Sequence, residues 1–419
     1  MKKVVIIGAG AAGMMAAIAA ADSGAEVLVL EKNDRAGKKI RITGKGRCNV
    51  TSAKASEEHI KSFAHNGKFM YAPLNRLTPE DTYRFFEEAG VPLKVERGDR
   101  VFPQSDNAQD IVDALLKQMA KRHVQVKFNK AAKTLLRTQE GKLLGVLCDD
   151  GERVMADSVI IATGGASYPG TGSSGDGHKF AKSVGHKIVD IRPSLVPLVV
   201  KESDVSQMQG LSLRNVKFSV YDKNGKLLVS QFGELLFTHF GLSGPVVLTA
   251  SSILSDYWLK NAGDLMGDID LKPALSREKL DERLLREIKE QPKRSYKNLL
   301  GALLPQLLIA PFINRSGIAY NKVSNQLTKE DREVIIDLLK GYWFTLTGTR
   351  PLIEGIVTAG GVNVKEVSPK TMESKICPDL YFAGEVLDID AVTGGFNLQA
   401  AFSSGYLAGM SAAQKENME

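Results

Sequence analysis

The sequence predicts an α/β protein in which a parallel-sheet domain is interrupted first by a β-rich segment and then by a helical segment. Three observations support this prediction. Short apolar runs alternate with Ala-rich stretches at both ends of the chain, turn-separated β-rich runs fill its middle, and helix-periodic stretches follow them. The 419 residues, 43% of them hydrophobic and 25% charged, are typical of a soluble protein with two or three domains.

The expected domain boundaries follow these changes of pattern. The parallel-sheet domain takes residues 1–192 and 346–419, the inserted β domain takes 193–275 with a return near 332–345, and a helical subdomain takes 276–331. Runs such as VKFSVYDKNGKLLVS, in which DKNG is a hairpin signal, favour strands. The segment LTKEDREVIIDLLKGY favours a helix because a Thr cap and first-turn acids open it.

The amino terminus contains a complete βαβ unit. The apolar run VVII leads into GAGAAG, an Ala-rich helix follows as far as Gly24, and EVLVL forms a second strand. In such a unit the glycines allow a tight turn, a close approach to a pyrophosphate and close helix packing, while an acid after the second strand binds an adenosine ribose. The unit predicts a Rossmann-like domain that binds FAD or NAD through Gly8, Gly10, Ala11, Ala12, Gly13 and Glu31.

The segments after this unit favour FAD. An NAD domain would continue with regular βα repeats, whereas here a long basic loop, KNDRAGKKIRITGKGRCNVT, suits a bulkier cofactor, with contacts from Lys32 and Lys39. Farther along, several β segments end in the buried run VIIA, and Thr163, Gly164 and Gly165 then form a second close backbone approach. This order is typical of flavoproteins with two dinucleotide-binding domains.

A second G-x-G-x-x-G occurs in PGTGSSGDG. Several residues separate it from the preceding strand, Pro169 stands just before its first Gly, and no further βα repeats follow. We interpret it as an accidental match that forms a loop and a helix start at the end of the FAD domain. Asp176 either lies near the flavin or caps this helix.

Composition argues against several classes of protein. The three Cys show no C-x-x-C and the six His show no metal-ligand spacing, so we expect neither disulfides nor a metal. The first apolar run breaks at Gly8, so we expect neither a signal peptide nor a membrane anchor, and we place the protein in the cytoplasm. The net charge of +7 suits a nucleic-acid partner or an anionic cofactor or substrate; because acids are interleaved with the basic residues, we favour the latter and do not expect a nucleic-acid partner.

Four segments together resemble one family. They are GAGAAG with TGKGRCN, then GELLFTHFGLSGP, then EGIVTAGGV with TMESK, and finally LYFAGEVLDIDAVTGGFNLQAAFSSG. They look like the BaiN-like flavoproteins, also called NAD(FAD)-utilising dehydrogenases or aminoacetone oxidase family proteins. The resemblance implies a glutathione-reductase-like FAD domain with an inserted β-barrel-like domain and a helical region. A more distant resemblance is to the fumarate reductase and succinate dehydrogenase flavoproteins.

The resemblance also implies roles for single residues. Gly384-Glu385 matches the Gly-Asp pair that holds the ribityl chain and pyrophosphate, with Glu in place of Asp here. Ala132 matches the place where a backbone group meets adenine, and Gly361 would cover one side of the flavin. The last helix would direct its amino terminus at the flavin pyrimidine, and the TGKGRCN loop would lie beside the isoalloxazine; these two elements supply Gly394, Gly395, Phe396, Asn397, Gly44, Gly46, Arg47, Cys48 and Asn49.

Three side chains are candidates for other roles. His239 is the candidate catalytic proton donor or acceptor because histidine as a residue type suits proton transfer near neutral pH, although we favour a loop His bonded to backbone. Cys48 is a redox thiol or a packing residue, and we favour packing because no second Cys is near in the sequence. Arg47 anchors an anionic substrate or the cofactor phosphates, and we favour the phosphates.

Three functional hypotheses follow. The first is an FAD-dependent oxidoreductase that transfers hydride at flavin N5 with a small organic substrate, either an enone-like or steroid-like acceptor or an amine. NADH or NADPH would then act as a transient reductant without a domain of its own. The second is an FAD-containing RNA-modifying protein, and the third is a flavin-binding protein without turnover.

Overall fold

The structure is a computed structural model that describes residues 1–414. It divides into one unit formed by Met1–Ser194 with the chain from Leu352 onward, and a second unit formed by Leu195–Pro351. The sequence-based boundaries put these junctions at residues 193 and 346. The return is later than expected because a strand that continues to Thr349 belongs to the barrel of the second unit.

The described residues form strands and α-helices joined by turns and short 3₁₀ segments. The strands are β1 (Lys3–Ile7), β2 (Glu26–Leu30), β3 (Thr51–Ser52), β4 (Phe63–His65), β5 (Leu93–Glu96), β6 (Arg100–Pro103), β7 (Gln125–Lys127), β8 (Ala132–Arg137), β9 (Leu143–Cys148), β10 (Arg153–Met155), β11 (Ser158–Ile161), β12 (Ile188–Ser194), β13 (Leu198–Val200), β14 (Ser212–Tyr221), β15 (Leu227–Phe237), β16 (Gly241–Ser243), β17 (Leu265–Asp270), β18 (Tyr342–Thr349), β19 (Val357–Val362), β20 (Leu380–Phe382) and β21 (Asp390–Ala391). The helices are α1 (Ala11–Asp22), α2 (Lys38–Ile42), α3 (Ser56–Lys61), α4 (Tyr71–Arg76), α5 (Pro79–Glu88), α6 (Ala108–Lys121), α7 (Asp176–Ser183), α8 (Pro245–Lys260), α9 (Arg277–Glu290), α10 (Tyr296–Leu300), α11 (Gln306–Ser316), α12 (Lys329–Lys340) and α13 (Phe396–Ala413).

A five-stranded parallel sheet organises the first unit. Its order is β20-β11-β1-β2-β7, and each neighbouring pair is parallel. Strands β1 and β11 are almost completely buried, as expected for apolar runs in a parallel sheet. Because β20 comes from the end of the chain, both segments of this unit share one sheet and one hydrophobic core.

Helices α1 and α13 pack with their backbones in close contact. A Cβ atom at Gly405 would lie 2.2 Å from the carbonyl oxygen of Ala12, and one at Gly409 would lie 2.1 Å from that of Ala16. These distances exclude any side chain at either glycine. The Ala-rich and Gly-rich composition of the two helices is therefore explained by their mutual packing.

The second unit contains a closed six-stranded barrel in the order β13-β16-β15-β14-β17-β18. The DKNG segment forms the turn between β14 and β15, where the Asp222 side chain accepts hydrogen bonds from the backbone N–H groups of Asn224 and Lys226. The barrel and its adjoining helices share a core of their own. The predicted fold class, an FAD-type Rossmann-like unit with a barrel-like and a helical insertion, is confirmed.

Two helices of this unit occupy spans that the expected boundaries gave to β structure. Helix α12 confirms the helix predicted for LTKEDREVIIDLLKGY: it begins after the predicted Thr328 cap, which forms a capping box with Asp331, and it continues to Lys340, within the span 332–345. Helix α8 lies within the region 193–275 that was expected to be β-rich. It starts with Pro245 at its first position and buries part of its apolar surface, including Val246 and Val247, so tertiary packing overrides their β preference.

Over the part of the chain that the structure describes, no helix has the length and the apolar character needed to cross a bilayer.

Candidate cofactor site

Four predicted cofactor motifs follow the carboxyl ends of four neighbouring parallel strands. Gly8 follows β1, Glu31 follows β2, Thr163 lies two residues after β11, and Gly384 lies two residues after β20. In open α/β sheets, ligands bind outside the carboxyl ends of the strands. The structure therefore brings motifs from distant parts of the sequence to one edge of one sheet.

The glycines of the first motif divide into two kinds. Gly8 has a left-handed φ of +105°, and a Cβ atom there would lie 2.6 Å from the Ala162 carbonyl oxygen. A Cβ atom at Gly13 would lie 1.8 Å from the Gly8 carbonyl oxygen. At Gly10, in contrast, a Cβ atom would meet nothing within 4 Å. Packing explains the first two glycines, whereas the open space at Gly10 fits a cofactor pyrophosphate.

The amino ends of α1 and α13 are suited to bind anions. Gly10 caps α1 and Gly395 caps α13, neither helix has a side-chain cap, and neither has an acidic residue in its first turn. Helices α5 and α12 instead satisfy their first N–H groups with capping boxes. The N–H groups of Ala11, Ala12 and Gly13 at the start of α1 thus offer donors and the positive end of a helix dipole to a phosphate.

The Glu31 carboxylate is fixed at the end of β2. It is 7% exposed; its Oε2 accepts a hydrogen bond from the Ala9 backbone N–H at 2.8 Å, and its Oε1 accepts from the Asn33 backbone N–H at 2.8 Å and the Asn33 amide at 2.7 Å. The Lys130 N–H donates to the Glu31 carbonyl oxygen, so β8, which starts at Ala132, begins beside this acid. The predicted ribose-binding and adenine-binding residues therefore lie in connected segments.

Glu385 joins three of the predicted cofactor segments. Its carboxylate accepts hydrogen bonds from the Thr358 backbone N–H at 2.8 Å and the Ser167 hydroxyl at 3.1 Å, and it forms an ion pair with Lys39 at 2.8 Å. A Cβ atom at Gly165 would lie 2.3 Å from the Thr358 hydroxyl oxygen, which explains that glycine. The longer Glu, in place of the expected Asp, is thus used to hold the segments to one another.

Lys32 and Asp176 form a second link between segments. The Lys32 ammonium lies 2.8 Å from the Asp176 carboxylate, to which the Ser174 hydroxyl also donates. Burial acts to raise the pKa of Asp176, but the hydrogen bonds from Lys32 and Ser174 lower it to about 2. Gly175, with a left-handed φ, occupies the cap position of α7, so Asp176 is not the helix cap.

The TGKGRCN loop has an unusual backbone. Gly44, Lys45, Gly46 and Cys48 all have a positive φ, between 56° and 85°. The Cys48 side chain is completely buried, and burial raises the pKa of its thiol to about 12. A thiol in this state is a poor nucleophile, which favours packing over a redox role.

Two asparagines hold this loop and the start of α13. With its amide oxygen directed at the Gly395 N–H, 3.0 Å away, Asn49 also donates to the Thr51 carbonyl. A Cβ atom at Gly395 would lie 2.4 Å from that same carbonyl oxygen. Asn397 bonds both the N–H of Ala391, at 2.9 Å, and its carbonyl oxygen, at 2.7 Å. These two side chains therefore contact protein backbone and fix the glycine-rich turn before α13.

Three further predicted positions are in close contact with protein atoms. A Cβ atom at Gly394 would lie 2.7 Å from the Phe396 ring, and one at Gly361 would lie 2.6 Å from the Val386 carbonyl oxygen. Phe396 is buried and packs edge-on against His59, with ring centroids 4.8 Å apart. The contacts of Gly361, Gly394 and Phe396 fix the positions of the segments around the predicted cofactor site.

Arg47 pairs with acidic side chains, and His239 lies in a turn. The Arg47 guanidinium pairs with Glu96 at 2.8 Å and Asp106 at 3.1 Å and lies 4.0 Å above the Phe102 ring. These contacts favour a structural role for Arg47 over a phosphate contact. His239 is exposed in the turn after β15 of the second unit, and its role as a proton donor stays a prediction.

Sequence reasoning gave no role to several polar residues of the first unit. The Ser167 hydroxyl bonds to Glu385, and Asp388 and Asp390 are buried shortly after Glu385. The signal for the two acids was available, because LDIDA places charged residues in an otherwise apolar run directly after a cofactor motif.

Comparison with known proteins places the chain in a family. Residues 2–411 match the family model described as the HI0933-like protein Rossmann domain. The 3-dehydro-bile acid delta(4,6)-reductase of Clostridium scindens is 31% identical over 420 residues, with 99% of this chain and 100% of that protein covered. The ribosomal RNA dihydrouridine synthase of Haemophilus influenzae is 32% identical over 410 residues, with 97% of each chain covered.

A solved structure shares the fold. The 3-ketosteroid delta1-dehydrogenase of Sterolibacterium denitrificans aligns with a TM-score of 0.53 at 12% identity, covering 99% of this chain and 100% of that one. At this identity the likeness concerns the fold alone. The family match over residues 2–411 and the full-length relative confirm the resemblance to BaiN-like flavoproteins and the class of FAD-dependent oxidoreductases. The chain belongs to the HI0933-like Rossmann family.

Proposed function

We propose that the protein reduces a carbon–carbon double bond that is conjugated with a carbonyl group. FAD, when bound, supplies a hydride from N5 for such a reduction. The observation that supports a flavin-dependent reaction is the meeting of four predicted cofactor motifs at one edge of the parallel sheet, where they would bind the cofactor along its length.

Different residues of the chain would bind different parts of the cofactor. The open space at Gly10 and the first N–H groups of α1 would take the pyrophosphate, and Glu31 would accept the ribose hydroxyls. The uncapped amino end of α13 would stabilise negative charge on the pyrimidine ring. The hydrogen bonds and the ion pair of Glu385 would hold these segments in fixed positions relative to one another.

The relatives support this type of reaction. The bile acid enzyme is named as a delta(4,6)-reductase of a 3-dehydro compound, and dihydrouridine is uridine with its ring double bond saturated. In both substrates, the 3-dehydro bile acid and uridine, the double bond that is reduced is conjugated with a carbonyl group. We infer a small enone, such as a 3-oxo-4-ene steroid, as the substrate class, with NADH or NADPH as the reductant.

A second candidate is reduction of uridine in RNA. The relative from Haemophilus influenzae covers nearly the whole chain at 32% identity, and the net charge of +7 suits a polyanionic substrate. These observations give the RNA hypothesis more weight than the charge pattern alone did.

The test is anaerobic reduction of the purified FAD-loaded protein. NADPH or NADH is added while the visible flavin spectrum is recorded, and then either 4-androstene-3,17-dione or a ribosomal RNA transcript is added. We expect bleaching by one nicotinamide and recovery of the spectrum on adding the alkene. Recovery with RNA alone selects the second candidate; if neither acceptor restores the spectrum, the proposed reaction is wrong.

A further inference from the structure

The second G-x-G-x-x-G match lies in a loop that folds back onto a cofactor motif. This glycine loop, residues 169–175, lies between β11 and α7. The Gly175 N–H donates to the Gly165 carbonyl oxygen at 3.1 Å, and a Cβ atom at Gly164 would lie 2.9 Å from the Ser173 hydroxyl oxygen. The glycine loop is therefore packed against the motif that follows β11.

The tip of the glycine loop contacts the segment that follows β2. The Asn33 amide donates to the Thr171 carbonyl oxygen at 3.3 Å, and a Cβ atom at Gly172 would lie 2.5 Å from the nitrogen of the same amide. Gly172 also has a φ of +104°, so a side chain at this position would be strained and would displace the Asn33 amide. Contact with Asn33 thus explains the second glycine of the match.

A charged link joins the same two segments. The Lys32 ammonium lies 2.8 Å from the carboxylate of Asp176, the first residue of α7, and it also donates to the Ser174 hydroxyl, which donates to Asp176 in turn. The side chains of Lys32 and Asp176 are each 33% exposed, so water screens their attraction only in part. Lys179 also pairs with Asp176, at 3.2 Å, but both belong to α7, so this second pair joins no separate segments.

The link spans the carboxyl end of β1. Strand β1 lies between β11 and β2, so the segments that follow those two strands leave the sheet about 10 Å apart, twice the spacing of neighbouring strands. Asn33 also donates to Glu31, whose carboxylate accepts from the Ala9 N–H in the GAGAAG turn. The glycine loop and its partners therefore bridge the turn that is predicted to bind the adenosine diphosphate part of FAD.

We propose that the glycine loop, fastened by Lys32, Asn33 and Asp176, is a gate over the adenosine end of the site that FAD passes on entering and on leaving. The inference rests on the cofactor site of the proposed function and not on its substrate. Because the link is made by side chains of the protein alone, it forms with and without FAD and slows both binding and release. A side chain that contacts FAD directly would instead act mainly on release.

The rates of FAD binding and release test the gate. Binding to the apoprotein is followed by the change in flavin fluorescence after rapid mixing, and release is followed after dilution of the loaded protein below its Kd. We expect Lys32→Met to raise both rates by about 3- to 30-fold and to leave Kd within about threefold of the native value. Lys179→Met is the matched control, because it removes the partner of Asp176 that joins no separate segments, and both of its rates should be native.

A double-mutant cycle separates the gate from a direct contact. Asp176→Asn should raise both rates as Lys32→Met does, and combining the two should add little, because either change alone breaks the link. If Lys32→Met raises the release rate alone, or if its effect adds fully to that of Asp176→Asn, Lys32 contacts FAD itself and the gate is wrong. Lys32→Met and its control decide the question even if Asp176→Asn fails to fold.

The same measurements distinguish failure of the gate from failure of the proposed function. A native protein that binds FAD while Lys32→Met keeps native rates overturns the gate and leaves the cofactor site intact. A native protein that binds no FAD refutes the cofactor site of the proposed function, and the gate with it.

Discussion

Replacing Gly10 by Ala tests the cofactor site without disturbing the fold. Gly10 has φ −86° and ψ −169°, which Ala also adopts, and its new Cβ atom would meet no protein atom within 4 Å. We therefore expect the free energy of unfolding of the apoprotein to change by at most about 1 kcal/mol, the usual range for a changed helix cap. If the pyrophosphate occupies this space, the methyl group pushes it away from the helix.

The loss of one hydrogen bond to a charged phosphate costs about 1.5–3 kcal/mol. This corresponds to a roughly 10- to 150-fold higher Kd for FAD. Titration of the apoprotein followed by flavin fluorescence gives the Kd, and urea unfolding gives the stability. Gly13→Ala is the matched control: its Cβ atom would lie 1.8 Å from the Gly8 carbonyl oxygen, so it should destabilise the apoprotein itself. A Gly10→Ala protein with native affinity for FAD would refute the assignment of this space to the pyrophosphate.

Three more predictions concern the surrounding structure. Gly405→Ala, whose Cβ atom would lie 2.2 Å from the Ala12 carbonyl oxygen, should lower the free energy of unfolding in urea by about 1–3 kcal/mol, and an unchanged midpoint would contradict the tight helix packing. The lowered pKa of Asp176 stabilises the folded protein above the unfolded value near 3.8, and this stabilisation is lost as the pH falls toward 2. Asp176→Asn should therefore have a lower free energy of unfolding than the native protein at pH 7, and the difference between the two proteins should shrink between pH 3.8 and pH 2. A difference that does not change with pH would argue against the ion pair with Lys32. Because its thiol is buried, Cys48 should resist iodoacetamide in the native protein, and Cys48→Ala should keep flavin reduction by nicotinamide; rapid alkylation or loss of reduction would restore the redox hypothesis.

The sequence was most informative where local pattern and chemistry coincide. The βαβ unit at the amino terminus needs only short-range features, an apolar strand, a glycine turn and an Ala-rich helix, and all appear as expected. The DKNG hairpin and the Thr328 cap are also local. Helix α8 was missed because its β-branched residues favour strands, and its helical state depends on burial against the barrel unit.

The cofactor site shows the same division between local and long-range information. Motifs in the sequence predicted cofactor roles for Gly8 and Glu31, since each follows a recognisable strand. The partners of Glu385 could not be read in this way, because Lys39, Ser167 and Thr358 are far apart in the chain and meet only when the sheet forms. For Arg47, the predicted phosphate role ignored Glu96 and Asp106, which the fold places against the guanidinium.

The sequence by itself determined the cofactor class, the main α/β unit and the existence of an insertion, because these depend on periodicity, turn chemistry and motif order along the chain. The tertiary structure alone decided which polar groups meet, which glycines are needed for packing, and which acids are buried. The physical reason is that burial and charge compensation depend on neighbours from distant segments. Asp388 illustrates this, since its buried Oδ1 and its proximity to Asn66 and Asp390 exist only in the folded chain.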